Sequence, residues 1–301
     1  MTTPAGTATR PPPQPPRFRW IAGARPRTLP ASAVPVAVGT AVVAAEGQVI
    51  WWRAAAALVV AVAIQVGTNY ANDYSDGIRG TDDKRVGPVR LVASGLAAPA
   101  AVKRAALLSF VVAGAAGLAL AAAAGWWLIA IGAVSILAGW LYTGGPKPYG
   151  YIGLGEAFVF LFFGLVATVG TAYVQLERVT GLAVAAAVPV GLLAVALLVV
   201  NNLRDIPTDA TSGKLTLAVR LGPSLTRRLY CAAVLTPFAV ACGIAVSRPW
   251  ALVALLAAPL VVSPVRRVLA GEAGPGLVAV LVDTGRLQLV FGALLAAGIA
   301  A

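Results

Sequence analysis

Among 301 residues only eleven are acidic, and six of these fall into two short runs. The first is Asp73, Asp76, Asp82 and Asp83, within Asn69-Tyr-Ala-Asn72-Asp73-Tyr-Ser-Asp76-Gly-Ile-Arg79-Gly80-Thr-Asp82-Asp83-Lys84. The second is Asp205 and Asp209, within Asn201-Asn202-Leu-Arg204-Asp205-Ile-Pro207-Thr-Asp209-Ala-Thr-Ser-Gly213-Lys214. On a helix Asn69, Asp73 and Asp76 share a face, as do Asn72 and Asp76. Carboxylates at such spacing repel each other unless a cation lies between them. Pro207 between Asp205 and Asp209 predicts a distorted turn rather than a continuous helix there. Hard oxygen ligands of this kind suit Mg²⁺, which takes one or two carboxylates and completes its shell with substrate phosphates. The candidate ligands are Asp73, Asp76, Asp82, Asp205 and Asp209. Arg79, Lys84, Arg90, Lys147 and Lys214 are candidates for the phosphate charge, with Asn69, Asn72, Asn202 and Arg204 as polar partners. The pattern is that of a metal-bridged diphosphate site.

The rest of the inventory narrows the chemistry. The chain has no histidine, which removes His-based triads and zinc–histidine sites. Cys231 and Cys242, eleven residues apart in one apolar stretch, are about 16 Å apart along a helix, too far for a disulfide. Glu46, Glu177 and Glu272 read as loop charges, and Asp283 as a cap on the last span. Glu156, near the start of the fifth span, faces either the bundle interior or the interface.

The elements that must position these residues are apolar helices. Hydrophobic residues make up 59% of the chain and charged residues 11%, with mean hydropathy +0.85. A soluble domain carries about 25% charge. An all-α, polytopic membrane bundle is therefore expected, with nine spans near 29–46, 52–72, 104–124, 126–142, 153–175, 180–201, 228–247, 249–270 and 281–300. Residues 1–27 read as a Pro- and Arg-rich tail ending in a short interfacial element around Phe18–Ile21, without the pattern of a cleaved signal peptide. Residues 28–301 read as one transmembrane domain. With the N-terminus cytoplasmic and the C-terminus outside, every one of the 23 basic residues except Arg53, Arg178 and Arg248 falls on the inner side, as the positive-inside rule requires. Both acidic runs then close spans at the cytoplasmic face. The net charge of +12 is spread through short inter-span segments, so it follows topology and not nucleic-acid binding.

These motifs resemble those of the UbiA superfamily of intramembrane aromatic prenyltransferases. Asn72-Asp73-Tyr-Ser-Asp76 matches the first motif, Asn-Asp-x-x-Asp, and Asp205-x-x-x-Asp209 matches the second. Many members carry a further Asp where this chain has Gly80, and Asp82 stands in for it here. The flanks Arg25-Pro-Arg27-Thr-Leu-Pro30, Gly87-Pro-Val-Arg90 and Gly213-Lys214-x-Thr216 are similar to the naphthoate branch of menaquinone biosynthesis. The resemblance runs from about residue 20 to the C-terminus. It implies a nine-span plasma-membrane enzyme using Mg²⁺, a polyprenyl diphosphate and an aromatic acid, 1,4-dihydroxy-2-naphthoate, with loss of CO₂ and diphosphate. It further implies that Asp73, Asp205 and Lys214 are catalytic, with Asp73 or Asp205 as base. Tyr142 and Lys147 would meet the aromatic acid or phosphate, and Phe158, Phe160, Phe162 and Phe163 either the tail and cation or lipid.

Three other readings are weighed. Asp73-x-x-Asp76-Gly77 overlaps the start of the CDP-alcohol phosphotransferase signature, but the rest of that signature does not follow. An ion-coupled transporter would place its acids near mid-membrane, whereas these lie at span ends. Another acceptor within the superfamily, such as 4-hydroxybenzoate, is the nearest rival.

Overall fold

The structure, a computed structural model, describes residues 16–80 and 90–301, and these are helical and loop segments without a strand. The helices are α1 (Pro16–Ala24), α2 (Pro30–Glu46), α3 (Trp51–Arg79), α4 (Pro99–Ala124), α5 (Leu128–Leu141), α6 (Gly155–Val159), α7 (Ala167–Leu176), α8 (Gly181–Thr211), α9 (Leu217–Ile244), α10 (Pro259–Leu269) and α11 (Leu277–Ala300). A π-helical segment, Phe160–Val166, joins α6 to α7, and a 3-10 segment, Pro249–Ala257, precedes α10. Among the described residues six helices are long and apolar enough to cross a membrane, with α6 to α7 counted as one. The number rises to eight if the bent pairs Phe18–Thr28 with Pro30–Glu46 and Pro249–Ala257 with Pro259–Leu269 each count as a span. The apolar α5 is shorter, at 14 residues.

Two helices outrun their expected spans. The second apolar stretch ends near residue 72, yet α3 continues to Arg79 and has 29 residues. The sixth ends near 201, yet α8 continues to Thr211 and has 31. At 1.5 Å per residue each is about 45 Å long, well beyond a hydrocarbon core of about 30 Å. The acidic runs therefore lie on helix that overshoots the apolar zone. The expected distortion at Pro207 is corrected, because α8 passes through it. Pro207 removes one backbone donor only in the last turns, and the hydroxyls of Thr208 and Thr211 bond nearby carbonyls, those of Asp205 and Pro207 among them. Asp283 lies inside α11 rather than capping it, because the helix begins at Leu277.

The core is built on α8. Val190, Leu193, Ala196, Val199, Val200 and Leu203 are buried among side chains of α2, α9 and α11. The π-helical segment crosses α8 closely at Gly164 and Gly191, where a Cβ on either would lie 2.7–3.0 Å from the other's Cα. A second cluster joins α3 to α4 through Tyr70, Ala71, Val102, Ala106 and Phe110. The outer faces keep Leu108, Val111, Leu137 and Leu235 exposed, as a lipid-facing surface requires.

The end opposite the acidic runs has its own chemistry. Trp51, Trp52, Trp126, Trp127 and Trp250 are exposed there, in the manner of an interfacial aromatic belt. Arg53 in the first turn of α3 donates to the carbonyls of Val174 and Ala123, at the C-termini of α7 and α4, and to Glu177. Arg248 likewise bonds the Ala45 carbonyl at the C-terminus of α2. Two of the three basic residues outside the positive-inside pattern thus satisfy orphan carbonyls and oppose the helix dipoles.

Arg53→Met should lower stability by about 1.5–3 kcal/mol, the range for hydrogen bonds to a charged group. The check is a lower melting temperature in detergent, partly recovered by Arg53→Lys.

Candidate active site

At the end of α3, Asp73 and Asp76 are fully buried and close enough to repel each other. Asp73 accepts from the backbone N–H groups of Leu91 (2.8 Å) and Val92 (3.0 Å), which pins the segment before α4 onto α3. The charge of Arg25 also acts on Asp73. One turn earlier, Asn69 donates to the Ala24 carbonyl and the Thr28 hydroxyl, tying α3 to the chain between α1 and α2. Asn72 accepts from the Thr143 hydroxyl at 2.7 Å. The helix stops at Gly80, whose φ of 70° lies in the left-handed region. Glycine adopts that backbone without steric cost.

The second cluster is built on the last turns of α8. Arg204 donates to both oxygens of Asp205, at 2.7 and 2.9 Å, and to Asn201 at 2.7 Å. Asp205 and Asp209 are four residues apart on continuous helix, so they share a face. Gly213, with φ 74°, turns the chain back so that the Lys214 N–H bonds the Asp209 carbonyl. The Lys214 ammonium then lies 3.9 Å from the Asp209 carboxylate.

The two clusters meet at a residue that the motifs did not single out. The Tyr151 hydroxyl donates to Asp76 at 2.6 Å. Its ring receives the Lys214 ammonium 4.9 Å from the centroid and the Arg79 guanidinium at 5.5 Å. Arg79 also donates to the carbonyls of Thr143 and Gly145. Tyr151 thus links the ends of α3 and α8 through the loop between α5 and α6. Its available signal was proximity, four residues beyond Lys147 in a glycine- and tyrosine-rich loop.

The remaining candidates divide. Tyr142 is half-buried against Tyr149 at 5.4 Å, and Tyr149 stacks on Phe158 at 4.1 Å. Burial pushes the Tyr149 hydroxyl above its ordinary range, so it serves as a donor, to the Ala138 carbonyl. Phe162 continues this ladder, whereas Phe160 packs on Gly191. Arg90 is buried and Lys147 exposed. Asn202 donates to Glu156 at 2.9 Å, and Glu156 is a buried, inward-facing residue. Asp82, Asp83 and Lys84 lie outside the described residues.

The donor set can be tested against a divalent cation. Among the described residues no three acidic or cysteine side chains gather on one point. The site instead offers paired carboxylates, and each Asp73 oxygen accepts a single backbone N–H from those pairs of lone electrons. Two adjacent buried carboxylates on one face need positive charge, and all the donors are hard oxygens. Such an arrangement fits Mg²⁺ shared between protein and ligand oxygens.

The UbiA prenyltransferase family matches residues 32–274. A 1,4-dihydroxy-2-naphthoate octaprenyltransferase of Mycobacterium tuberculosis is 51% identical over 94% of this chain and 97% of its own length. The Escherichia coli protein of the same name is 37% identical, covering 83% of this chain and 84% of its own. Among solved structures, a UbiA homolog from Archaeoglobus fulgidus bound to GPP and Mg²⁺ superposes with a TM-score of 0.66 at 16% identity, covering 94% of this chain and all of that one.

Tyr151→Phe removes the hydroxyl bond to Asp76. Loss of such a supporting bond should weaken Mg²⁺ binding by about 10–100-fold, read from the Mg²⁺ dependence of the melting temperature. An unchanged midpoint would remove Tyr151 from the site.

Proposed function

This chain belongs to the UbiA prenyltransferase family, and from that membership we propose that it transfers a polyprenyl group from polyprenyl diphosphate to 1,4-dihydroxy-2-naphthoate. The products are demethylmenaquinol, CO₂ and diphosphate. The observation that carries the reading is the meeting of two acidic clusters at one end of the bundle, joined by Tyr151. The names borne by relatives that cover most of the chain supply the acceptor.

In this reading Asp73, Asp76, Asp205 and Asp209, with Asp82, hold Mg²⁺. When bound, the ion would neutralise the diphosphate and favour its departure from the allylic carbon. Lys214 stands beside Asp209 and stabilises the leaving diphosphate by its charge, helped by Arg79, Lys84, Arg90 and Lys147. Asp73 and Asp205 are catalytic through this grip on the diphosphate. Asn69, Asn72, Asn202 and Arg204 serve binding by holding neighbouring segments and carboxylates in place. Tyr142 presents an aromatic edge to the flat acceptor.

The same reading extends to topology. The short α5, added to the long helices and the bent pairs, supplies a ninth span. The N-terminus then lies in the cytoplasm and the C-terminus outside, with the site at the cytoplasmic face of the plasma membrane, as the basic residues favour. Residues 28–301 form one catalytic domain bathed in lipid, and the helix α1 before it packs on α3 through Tyr70 and Asn69.

Detergent-solubilised protein supplied with labelled polyprenyl diphosphate and Mg²⁺ should prenylate the naphthoate, and chelation should abolish turnover. Prenylation of 4-hydroxybenzoate alone would overturn the acceptor assignment. Asp76→Asn and Asp205→Asn should each cost more than about tenfold in rate, as loss of an electrostatic contact to the leaving group does. Near-normal rates in both would exclude them from the site.

A further inference from the structure

Proton transfer remains to be assigned, and the carboxylates at this end of the bundle differ in what their oxygens already do. Asp73 accepts two backbone N–H bonds. Asp205 holds a two-pronged bond from Arg204. Asp76 accepts from Tyr151, and Asp209 faces Lys214. Each of these four carboxylates thus already holds a partner within the protein.

Glu156 is different. It is 7% exposed, and its Oε1 accepts from Asn202 at 2.9 Å. Its Oε2 is buried without a hydrogen-bond partner. A carboxylate oxygen so placed is costly unless a donor reaches it. The other buried carboxylate oxygen in this condition, on Glu46, lies at the far end of α2. The short helix α6 that carries Glu156 also packs on aromatic rings: a Cβ on Gly155 would lie 3.4 Å from the Tyr142 ring, and Phe158 stacks with Tyr149. Asn202 connects it to the helix that carries Asp205 and Asp209.

Resting on the prenyl-transfer reading above, we propose that Glu156 is the general base, its Oε2 receiving the hydroxyl proton of the aromatic acceptor. The O–H electron pair becomes a ring carbonyl bond, and the ring π pair forms the new C–C bond to the allylic carbon. The allylic C–O bond breaks with its pair leaving on diphosphate. Loss of CO₂ returns the C–C pair to the ring, and Glu156 gives the proton back to the ring oxygen. The proton is therefore borrowed, and the overall reaction consumes none.

The test compares purified wild type with Glu156→Gln and Glu156→Asp, using labelled polyprenyl diphosphate, Mg²⁺ and the naphthoate. Glutamine keeps the size and the Asn202 contact but cannot take the proton. It should lower kcat by about 10²-fold or more, with KM for the prenyl diphosphate and the melting temperature near wild type. Glu156→Asp should recover part of the rate. Ring-substituted naphthoates with more acidic hydroxyls should narrow the gap between wild type and Gln, since they need the base less. Equal kcat in the Gln variant would overturn the inference. So would a loss that ignores hydroxyl acidity and follows a lowered melting temperature, which would mark a packing role. A wild type that ignores the naphthoate but prenylates another phenol, with the same sensitivity to Gln, would refute the acceptor while supporting Glu156 as base.

Discussion

Negative charge held at the end of an apolar bundle has to be compensated, and most of the local architecture follows from that requirement. Removing an ion from water costs several kcal/mol even after relaxation, and only close, well-aligned partners offset it. Asp73 is compensated by two backbone N–H groups and the Arg25 charge. Asp205 is compensated by Arg204 on the same helix, Asp76 by the Tyr151 hydroxyl, and Asp209 by Lys214. For Asp73 and Asp76 the partners come from other segments, so satisfying these charges also draws the chain before α4 and the loop between α5 and α6 onto α3. A divalent ion with a diphosphate would continue the same compensation.

The length of two helices makes this possible. Because α3 and α8 overshoot the apolar zone, their last turns carry carboxylates without placing them in hydrocarbon. Left-handed glycines close both ends, Gly80 stopping α3 and Gly213 folding Lys214 back onto α8. The loop between α5 and α6 then brings Tyr151 between them. At the opposite end Arg53 and Arg248 bond helix C-terminal carbonyls, so the far side is held by neutralising dipoles instead of carboxylates. The bundle is thus tied at both ends by polar contacts, and its middle by small residues packed closely, as at Gly164 and Gly191.

The contrast among carboxylates has a chemical meaning. Those that already face cations and hydroxyl or N–H donors suit an electrostatic role. Glu156 has one amide donor and one oxygen without a hydrogen-bond partner, an oxygen that a ligand's hydroxyl would satisfy. A site that must both grip an anion through metal and move a proton benefits from keeping these tasks on different acids.

Periodicity, composition and spacing were enough to place a helical membrane bundle and two acidic clusters near helix ends. Apolar runs of bilayer length, and carboxylates one turn apart, are local facts that need no tertiary contact. The helix ends were less legible. Past residues 72 and 201 the apolar pattern stops while the backbone stays helical, and hydroxyl–carbonyl bonds carry α8 through Pro207. Tyr151 and Glu156 were beyond the reach of local pattern. A tyrosine in a loop and a lone glutamate acquire their roles only from what lies across from them: Asp76, Arg79 and Lys214 in one case, Asn202 in the other. Contacts separated by tens of residues in sequence are decided by packing, and packing alone brings Tyr151 between the ends of α3 and α8.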